Sequence, residues 1–288
     1  MDHQQDRYCV VGNPVAHSKS PQIHARFAAL TGQTLRYERC LAPLDGFVQT
    51  LAELMASGVR GCNVTVPFKS QAFHAVPVAH QSARVQLAQA ANTLWFDAAG
   101  IHADNTDGVG LVHDIQINAG VALAGLDVLL IGAGGAAAGA LAPLLAAQPR
   151  RLVVTNRTAA RAQTLVTLHR SHPSLLKALQ KTELQVQEIS GLQGDFDVII
   201  NASASSLAGA EVPVPASVLK PGALAYDMMY GAAAAPFLAW ARRHGAVPRD
   251  GLGMLVEQAA EAFALWRGMR PPAAQVLAEM QAAPNGTV

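Results

Sequence analysis

The chain has 288 residues, of which only 14% are Asp, Glu, Lys or Arg, while 51% are hydrophobic and 5% aromatic. An average soluble domain carries roughly 25% charged residues, so a disordered, acidic or polybasic chain is excluded, and the length allows one large domain or two of ordinary size. Lys and Arg number 21 against 20 Asp and Glu, a net charge of +1, which leaves no broad electrostatic footprint for nucleic acid or anionic lipid.

In chain order, residues 8–12 read as a short strand ended by Gly12. Pro21 suits the first turn of a helix running to about residue 30, with Ser20 as its N-cap. Residues 35–40 read as a strand, 45–57 as a helix closed at Gly58, and 61–66 as a strand stopped by Pro67. Alanine-rich residues 82–91 read as a helix, and 93–96 pair with 100–102 around a turn. This alternation predicts an α/β unit with a mainly parallel sheet. Turn formers Asn105, Thr106, Asp107 and Gly108 mark the domain change.

A second α/β pattern comes next. Strands are predicted at 127–131, 151–155, about 185–189, 196–201 and 223–227, with helices to about 149, at 159–169 and at 254–266. The run 128–147 contains no charged residue and is long enough to span a membrane. It even holds Gly135 and Gly139 at a spacing used between membrane helices. Its centre is Gly and Ala, however, and Pro143 interrupts the apolar stretch at its end, so a strand, turn and helix explain it better.

Within that run, Gly132, Ala133, Gly134, Gly135, Ala136 and Ala137 fit the pattern G-x-G-x-x-G/A between a buried strand and a small-residue helix. In a dinucleotide site the first glycine makes a tight turn, the second lets backbone approach the pyrophosphate, and the third position allows close helix packing. The helix N-terminus offers free N–H groups to phosphate. NAD sites place a carboxylate after the next strand. Here that strand ends in Asn156, Arg157 and Thr158. An arginine without the acid points to a 2′-phosphate, hence NADP over NAD. An isolated loop arginine is as often merely solvated; the glycine motif at the correct distance changes the weighting.

The first half holds a polar set. Asn63 and Thr65 share one face of their strand, and Lys69 comes after a proline turn. Each piece alone is bland, because Asn and Thr are common in turns and lysines are mostly solvated. Cys9, Cys40 and Cys62 are odd in number and lack metal spacing. They predict free thiols in a reducing, cytoplasmic compartment, and the polar N-terminus carries no signal-peptide run. His17, His24, His74 and His113 show no metal spacing and read as surface or ordinary core histidines. No metal is expected.

Taken together, Ser18-Lys19-Ser20-Pro21, Asn63-Val64-Thr65-Val66-Pro67-Phe68-Lys69, Ala91-Asn92-Thr93 and Asn105-Thr106-Asp107-Gly108 stand in a recognisable order. They continue with the glycine turn, Asn156-Arg157-Thr158, Asp227-Met228-Met229-Tyr230 and Asp250-Gly251-Leu252-Gly253-Met254 through Gln258. Over essentially its whole length the chain resembles the shikimate dehydrogenases. The resemblance implies a substrate domain of residues 1–107 joined by C-terminal helices 250–288, with a Rossmann-type NADP domain at 108–249. It implies reversible reduction of 3-dehydroshikimate to shikimate with NADPH, in the shikimate pathway of aromatic amino acid biosynthesis.

By the same resemblance, Ser18 and Ser20 would bind the substrate carboxylate. Asn63, Thr65, Asn92 and Gln258 would bind ring hydroxyls, with Tyr230 assisting. Lys69 and Asp107 would form the catalytic pair. Met228 and Gly251 would border the nicotinamide, completing a cofactor set of Gly132, Ala133, Gly134, Gly135, Ala136, Asn156, Arg157 and Thr158. The chemistry agrees: reducing a ketone needs a hydride donor on one side and a proton donor at the oxygen, a role suited to a lysine ammonium. A neighbouring carboxylate favours the charged lysine and desolvation opposes it; the sequence leaves that balance open. The partner is a small molecule, with no nucleic acid and no membrane, and the protein is a monomer or homodimer.

Two departures from the pattern stand out. Asn201-Ala202-Ser203-Ala204 replaces the family's Asn-Ala-Thr, keeping the hydroxyl, and the alanine-rich linker at 231–235 reads as loose. The rivals are an NAD-dependent quinate/shikimate dehydrogenase and a nucleotide-binding regulator that lost the chemistry. Retention of both Lys69 and Asp107 argues against the second.

Overall fold

A computed structural model describes residues 5–203 and 214–282. The chain divides into two compact units, Met1–Thr106 with Val256–Val288, and Asp107–Leu255.

The first unit opens with β1 (Asp6–Gly12), α1 (Ser20–Thr31), β2 (Leu35–Leu41), α2 (Phe47–Ala56) and β3 (Val59–Val64). It continues through α3 (Lys69–Ala75), α4 (Ala83–Ala88), β4 (Thr93–Asp97) and β5 (Gly100–Asp104). The sheet order is β2-β1-β3-β4-β5. Strands β2, β1 and β3 are parallel, whereas β3–β4 and the β4–β5 hairpin are antiparallel. One face of the sheet buries Cys9, Val11, Cys62, Val64 and Leu94 against Phe47, Leu51 and Phe68. Burial of these side chains supplies the driving force, at roughly 25 cal/mol per Å² of apolar surface removed from water.

Helix α1 is capped differently from the sequence expectation. Lys19 occupies the N-cap, Ser20 is the first helical residue, and the Ser20 backbone N–H donates to Ser18 Oγ (3.3 Å). Ser20 therefore does not cap the helix; the serine two residues earlier receives its N–H. Helix α4 is shorter than predicted: Ser82 Oγ accepts from Val85 N–H at its start, and Gln89 in the left-handed conformation (φ 49°) ends it.

The second unit runs α5 (Asp107–His113), a π-helical turn, β6 (Asp127–Ile131), α6 (Gly135–Ala146), β7 (Arg151–Thr155) and α7 (Ala159–Ser171). Next come α8 (Leu176–Leu179), β8 (Glu183–Val186), β9 (Phe196–Asn201), β10 (Leu219–Asp227), α9 (Ala235–Arg243) and β11 (Val247–Arg249). Its sheet order is β11-β10-β9-β6-β7-β8, parallel throughout. Counted from its own first strand, that is the order 3-2-1-4-5-6 of the doubly wound Rossmann fold. Strand β6 is buried at every position, as a central strand covered on both faces must be.

Helices α5 and α6 pack so closely that a Cβ on Gly108 would lie 2.1 Å from the Gly139 carbonyl oxygen. The small-residue spacing of α6 thus serves helix packing inside this unit. Among the described residues no helix is long and apolar enough to cross a membrane. The alanine run at 231–235, predicted as loose, forms a 3-10 turn (Gly231–Ala233) leading directly into α9. The predicted strand near 185–189 is displaced two residues earlier, because pairing with β7 sets Arg151 opposite Glu183.

The chain ends in α10 (Leu252–Arg267) and α11 (Ala273–Ala282), and the unit boundary falls inside α10. In the first unit, Trp266 stacks on Tyr8 (centroids 4.7 Å apart) and donates its indole N–H to the Leu94 carbonyl at 3.1 Å. Arg270 ion-pairs with the buried Glu257 at 2.8 Å and with Glu261 at 2.9 Å.

Candidate functional site

In the first unit a continuous buried network joins residues far apart in sequence. Asn63, near the end of β3, receives the Tyr37 hydroxyl proton on Oδ1 (2.8 Å). Its Nδ2 donates to the Asn92 carbonyl and to Thr93 Oγ1, each at 3.1 Å. The Asn92 side chain receives the Thr106 backbone N–H on Oδ1 at 2.8 Å. Its Nδ2 donates to Thr106 Oγ1 (3.0 Å) and to Gln258 Oε1 (3.3 Å). Asn63, Asn92, Thr93, Thr106 and Gln258 are all buried. Buried amides and hydroxyls must be paired or they destabilise the fold, so this network is specified as a whole.

Three of the sequence-predicted substrate residues, Asn63, Asn92 and Gln258, are thereby brought together. Tyr37, Thr93 and Thr106 belong to the same network and were not singled out from sequence as site residues. A polar residue on an alternating strand, or next to an asparagine in a turn, gives no signal of its own; only the long-range pairing does.

Thr65 lies just past β3, half-buried, with its backbone N–H on the Val11 carbonyl (2.9 Å). Lys69 starts α3, and its backbone carbonyl accepts the Ala91 N–H at 2.9 Å, which ties it to the Asn92 turn. Ser18 is half-buried, whereas Ser20 is buried at the start of α1. The Arg39 guanidinium grips the Ser18 carbonyl through Nε (3.2 Å) and Nη2 (2.6 Å). That cation beside the serine pair is a further feature the sequence did not indicate.

His24, also buried, stacks flat on Tyr37 with ring centroids 4.2 Å apart and planes 4° apart. Neither of its ring nitrogens makes a hydrogen bond of full geometry among the described residues, but the Asn63 side chain lies beside the ring and interacts with it. Burial holds its pKa down to about 3, so the ring is neutral at physiological pH. Among the described residues no group of His, Cys, Asp or Glu is arranged to hold a metal ion.

In the second unit the glycine turn leaves β6 at the carboxyl end of the sheet, next to β9, where the strand order reverses. Ligands of open α/β sheets bind at such a switch point. Gly132 has φ +120°, and a Cβ there would meet the Ala202 carbonyl oxygen at 2.9 Å. Glycine is thus demanded by both backbone and neighbour. At Gly134, the N-cap of α6, and at Gly135, a Cβ would meet nothing within 4 Å among the described residues. Ala133 and Ala136 complete the turn and the first turn of the helix, and Ala137 is fully buried.

The adjacent strand ends supply the rest. Asn201 receives both the backbone N–H (3.1 Å) and the hydroxyl (2.7 Å) of Ser203 on Oδ1, and donates to the buried Asp227 at 3.1 Å. The hydroxyl retained at Ser203 therefore closes a turn; Ala204 lies outside the described residues. Asp227 also receives the Met229 N–H at 2.9 Å. Gly251 packs on the Met228 carbonyl, where a Cβ would come within 2.3 Å. Tyr230 is half-buried, and burial raises its phenol pKa. At the end of β7, Asn156 Nδ2 donates to the Thr158 carbonyl (2.9 Å), while Arg157 is exposed. Arg157 has no ion-pair partner among the described residues. Asp107 is buried at the first turn of α5.

Known proteins match this chain along its length. Three family models match, described as shikimate dehydrogenase substrate binding domain (residues 10–94), shikimate/quinate 5-dehydrogenase (residues 115–211) and shikimate 5′-dehydrogenase C-terminal domain (residues 251–281). A relative from an Acidovorax species, named shikimate dehydrogenase (NADP(+)), is 67% identical and the match covers 98% of each chain. Among solved structures, an Ael1 enzyme from Pseudomonas putida is 43% identical with a TM-score of 0.87, covering 98% of this chain and 100% of that one. A shikimate 5-dehydrogenase from Thermus thermophilus, solved with NADP(H) and shikimate, is 28% identical with a TM-score of 0.78, covering 96% of this chain and 99% of that one.

Proposed function

The chain belongs to the shikimate dehydrogenase family, and from that premise we propose that it catalyses reversible hydride transfer between NADPH and 3-dehydroshikimate, yielding shikimate and NADP⁺. Full-length identity to a relative named for NADP(+) carries this reading. Unit by unit, the residues support it.

The glycine turn fits a dinucleotide. Among the described residues no neighbour requires glycine at 134 or 135, and close approach of a pyrophosphate gives that requirement a cause. The first N–H groups of α6 would hold the phosphates. Arg157, exposed and with no ion-paired carboxylate among the described residues, would take the 2′-phosphate, with Asn156 and Thr158 alongside. Met228 and Gly251 would border the nicotinamide. NADPH, when bound, supplies the hydride.

The first unit fits a polyhydroxylated acid. Hydroxyls need neutral partners, which Asn63, Thr65, Asn92 and Gln258 provide, with Tyr230 assisting. Ser18 and Ser20 would hold the carboxylate. Lys69 would stabilise the developing alkoxide and protonate it, then recover its proton from solvent, while Asp107 orients it and accepts a substrate hydroxyl. We assign residues 1–107 and 250–288 to substrate and 108–249 to cofactor. The free thiols Cys9, Cys40 and Cys62 suit a reducing cytoplasm, where the protein would act as a monomer or homodimer.

Purified protein offered shikimate or quinate with NADP⁺ or NAD⁺, with the reduced cofactor monitored by absorbance, tests the reading. Turnover with shikimate and NADP⁺ is expected. Faster reaction with NAD⁺ or quinate overturns the specificity, and no reaction at all points to the regulator.

A further inference from the structure

A charge pair in the second unit takes no part in the roles assigned above. Asp114, in the π-helical turn after α5, is fully buried, and both its carboxylate oxygens are engaged. Oδ2 accepts from Arg249 Nε and from the Tyr226 hydroxyl, each at 2.8 Å. Oδ1 accepts from Arg249 Nη2 at 2.6 Å and from Asn118 Nδ2 at 3.0 Å. These donors fill the lone-pair positions that a carboxylate offers. Tyr226 is fully buried too, and burial together with the Asp114 charge raises its phenol pKa, so it stays a donor. A Cβ on Gly253 would fall on the same carboxylate, so glycine there lets the first turn of α10 lie against it.

The donors come from strand ends that lead into the cofactor set. Tyr226 is followed by Asp227 and Met228 where β10 ends, and Arg249 closes β11 just before Asp250 and Gly251. The two ends meet. The Gly251 N–H donates to the Met229 carbonyl at 2.9 Å, and a Cβ on Gly251 would clash with the Met228 carbonyl. One carboxylate therefore ties together the strand ends that carry Met228 and Gly251. Stability alone does not account for it. A buried ion pair stabilises a fold no more than well-packed apolar side chains of the same volume, because desolvation offsets the attraction. What the Arg249 fork adds is direction, since paired N–H bonds to one carboxylate fix its plane.

We propose that Asp114 and Arg249 are positioning residues for hydride transfer: their buried pair, with the Tyr226 hydroxyl, fixes Met228 and Gly251 where they border the nicotinamide, and so sets the orientation of that ring. The proposal rests on the NADP-dependent reading of the chain. It goes beyond that reading in giving a role to residues outside the substrate and cofactor sets. Its consequence is a division within the cofactor. The ring depends on the pair, whereas the 2′-phosphate end, assigned to Arg157, does not.

Arg249→Lys tests this, because it keeps the charge and loses the fork. The measurements are steady-state kinetics with shikimate and NADP⁺, the same with shikimate carrying deuterium at the carbon that gives up hydride, and binding of adenosine 2′,5′-bisphosphate, which lacks the nicotinamide. A misaligned ring should lower kcat about ten- to hundredfold, with the shikimate KM and the bisphosphate affinity within about twofold of wild type. The isotope effect on kcat should rise as hydride transfer becomes the slow step. A pair that serves stability alone would lower Tm and leave kcat as in wild type, and that outcome overturns the proposal. Equal losses of kcat and bisphosphate affinity would mean that the whole unit is disturbed, and overturn it as well. Absence of wild-type turnover with shikimate overturns the functional reading itself, and the role of the pair falls with it. Should Arg249→Lys fail to fold, Tyr226→Phe decides. It removes a single donor to Asp114, and should lower kcat about two- to fivefold with bisphosphate affinity retained, the scale of one hydrogen bond; an unaltered kcat overturns the proposal.

Discussion

On the proposed function, the two units would recognise small molecules in opposite ways. The first would use side chains: Asn63, Asn92, Thr93, Thr106 and Gln258 form one buried network in which every member satisfies another. The second would use backbone: a glycine turn and a helix N-terminus, flanked by alanines, with almost no polar side chain in the turn itself. Removing an atom damages the first design, since a partner is left buried and unpaired. Adding an atom damages the second, since a Cβ occupies space that backbone or ligand needs.

Lys69→Ala probes the side-chain unit where the effect is largest. It should lower kcat at least roughly a hundredfold, the scale of a lost general acid, with substrate still bound. Single-turnover kinetics would check it, and unchanged kcat would remove Lys69 from the mechanism.

In the backbone unit two glycines separate the protein's needs from the ligand's. Gly132→Ala places a Cβ 2.9 Å from the Ala202 carbonyl at φ +120°, and should destabilise the fold by about 2–4 kcal/mol. At Gly134 an added Cβ meets no atom of the described residues within 4 Å beyond its chain neighbours. Gly134→Ala should leave Tm nearly unaltered while raising the NADP⁺ KM. Equal effects of the two on Tm would break the distinction.

Arg157→Ala should raise the NADP⁺ KM roughly ten- to hundredfold, the worth of a charge-assisted contact, and leave the shikimate KM nearly unchanged. An unaffected NADP⁺ KM would sink the 2′-phosphate role.

The smallest effect concerns pH and belongs to the first unit. His24 is surrounded by the rings of Tyr37, Phe27, Phe263 and Trp266, and burial lowers its pKa from 6.5 to about 3. Below about pH 6.5 the unfolded chain takes up a proton that the folded protein refuses until about 3. This residue's contribution is therefore fully present above that window and declines as pH falls through it. Between about pH 7 and 5 the loss should be about 1–2 kcal/mol. His24→Phe should flatten the dependence of Tm on pH in that interval; parallel melting curves would refute it.

Legibility in the sequence obeyed the same division. Strands β6, β7 and β9 have the predicted limits, 127–131, 151–155 and 196–201, because a strand buried on both faces reads as an uninterrupted apolar run. The glycine turn was legible for a related reason: its requirement is local, set within a few residues. Helices α3 and α9 were not legible. In α3 a short polar stretch gives little periodicity, and in α9 the alanine run resembles a linker. Ser20 does not cap α1 because Ser18, two residues earlier, takes the N–H at the helix start.

For the candidate site, the motif order named Asn63, Asn92 and Gln258 but not what binds them together. Tyr37 is 26 residues from Asn63, and Gln258 is 166 from Asn92; no local pattern encodes either pairing. The amino-acid sequence by itself determined the α/β class, the central strands and the glycine turn, since burial and backbone freedom are properties of short segments. Only the tertiary structure decided which amide donates, which accepts, and which tyrosine holds them, since a buried polar group takes its meaning from whatever the fold sets opposite it.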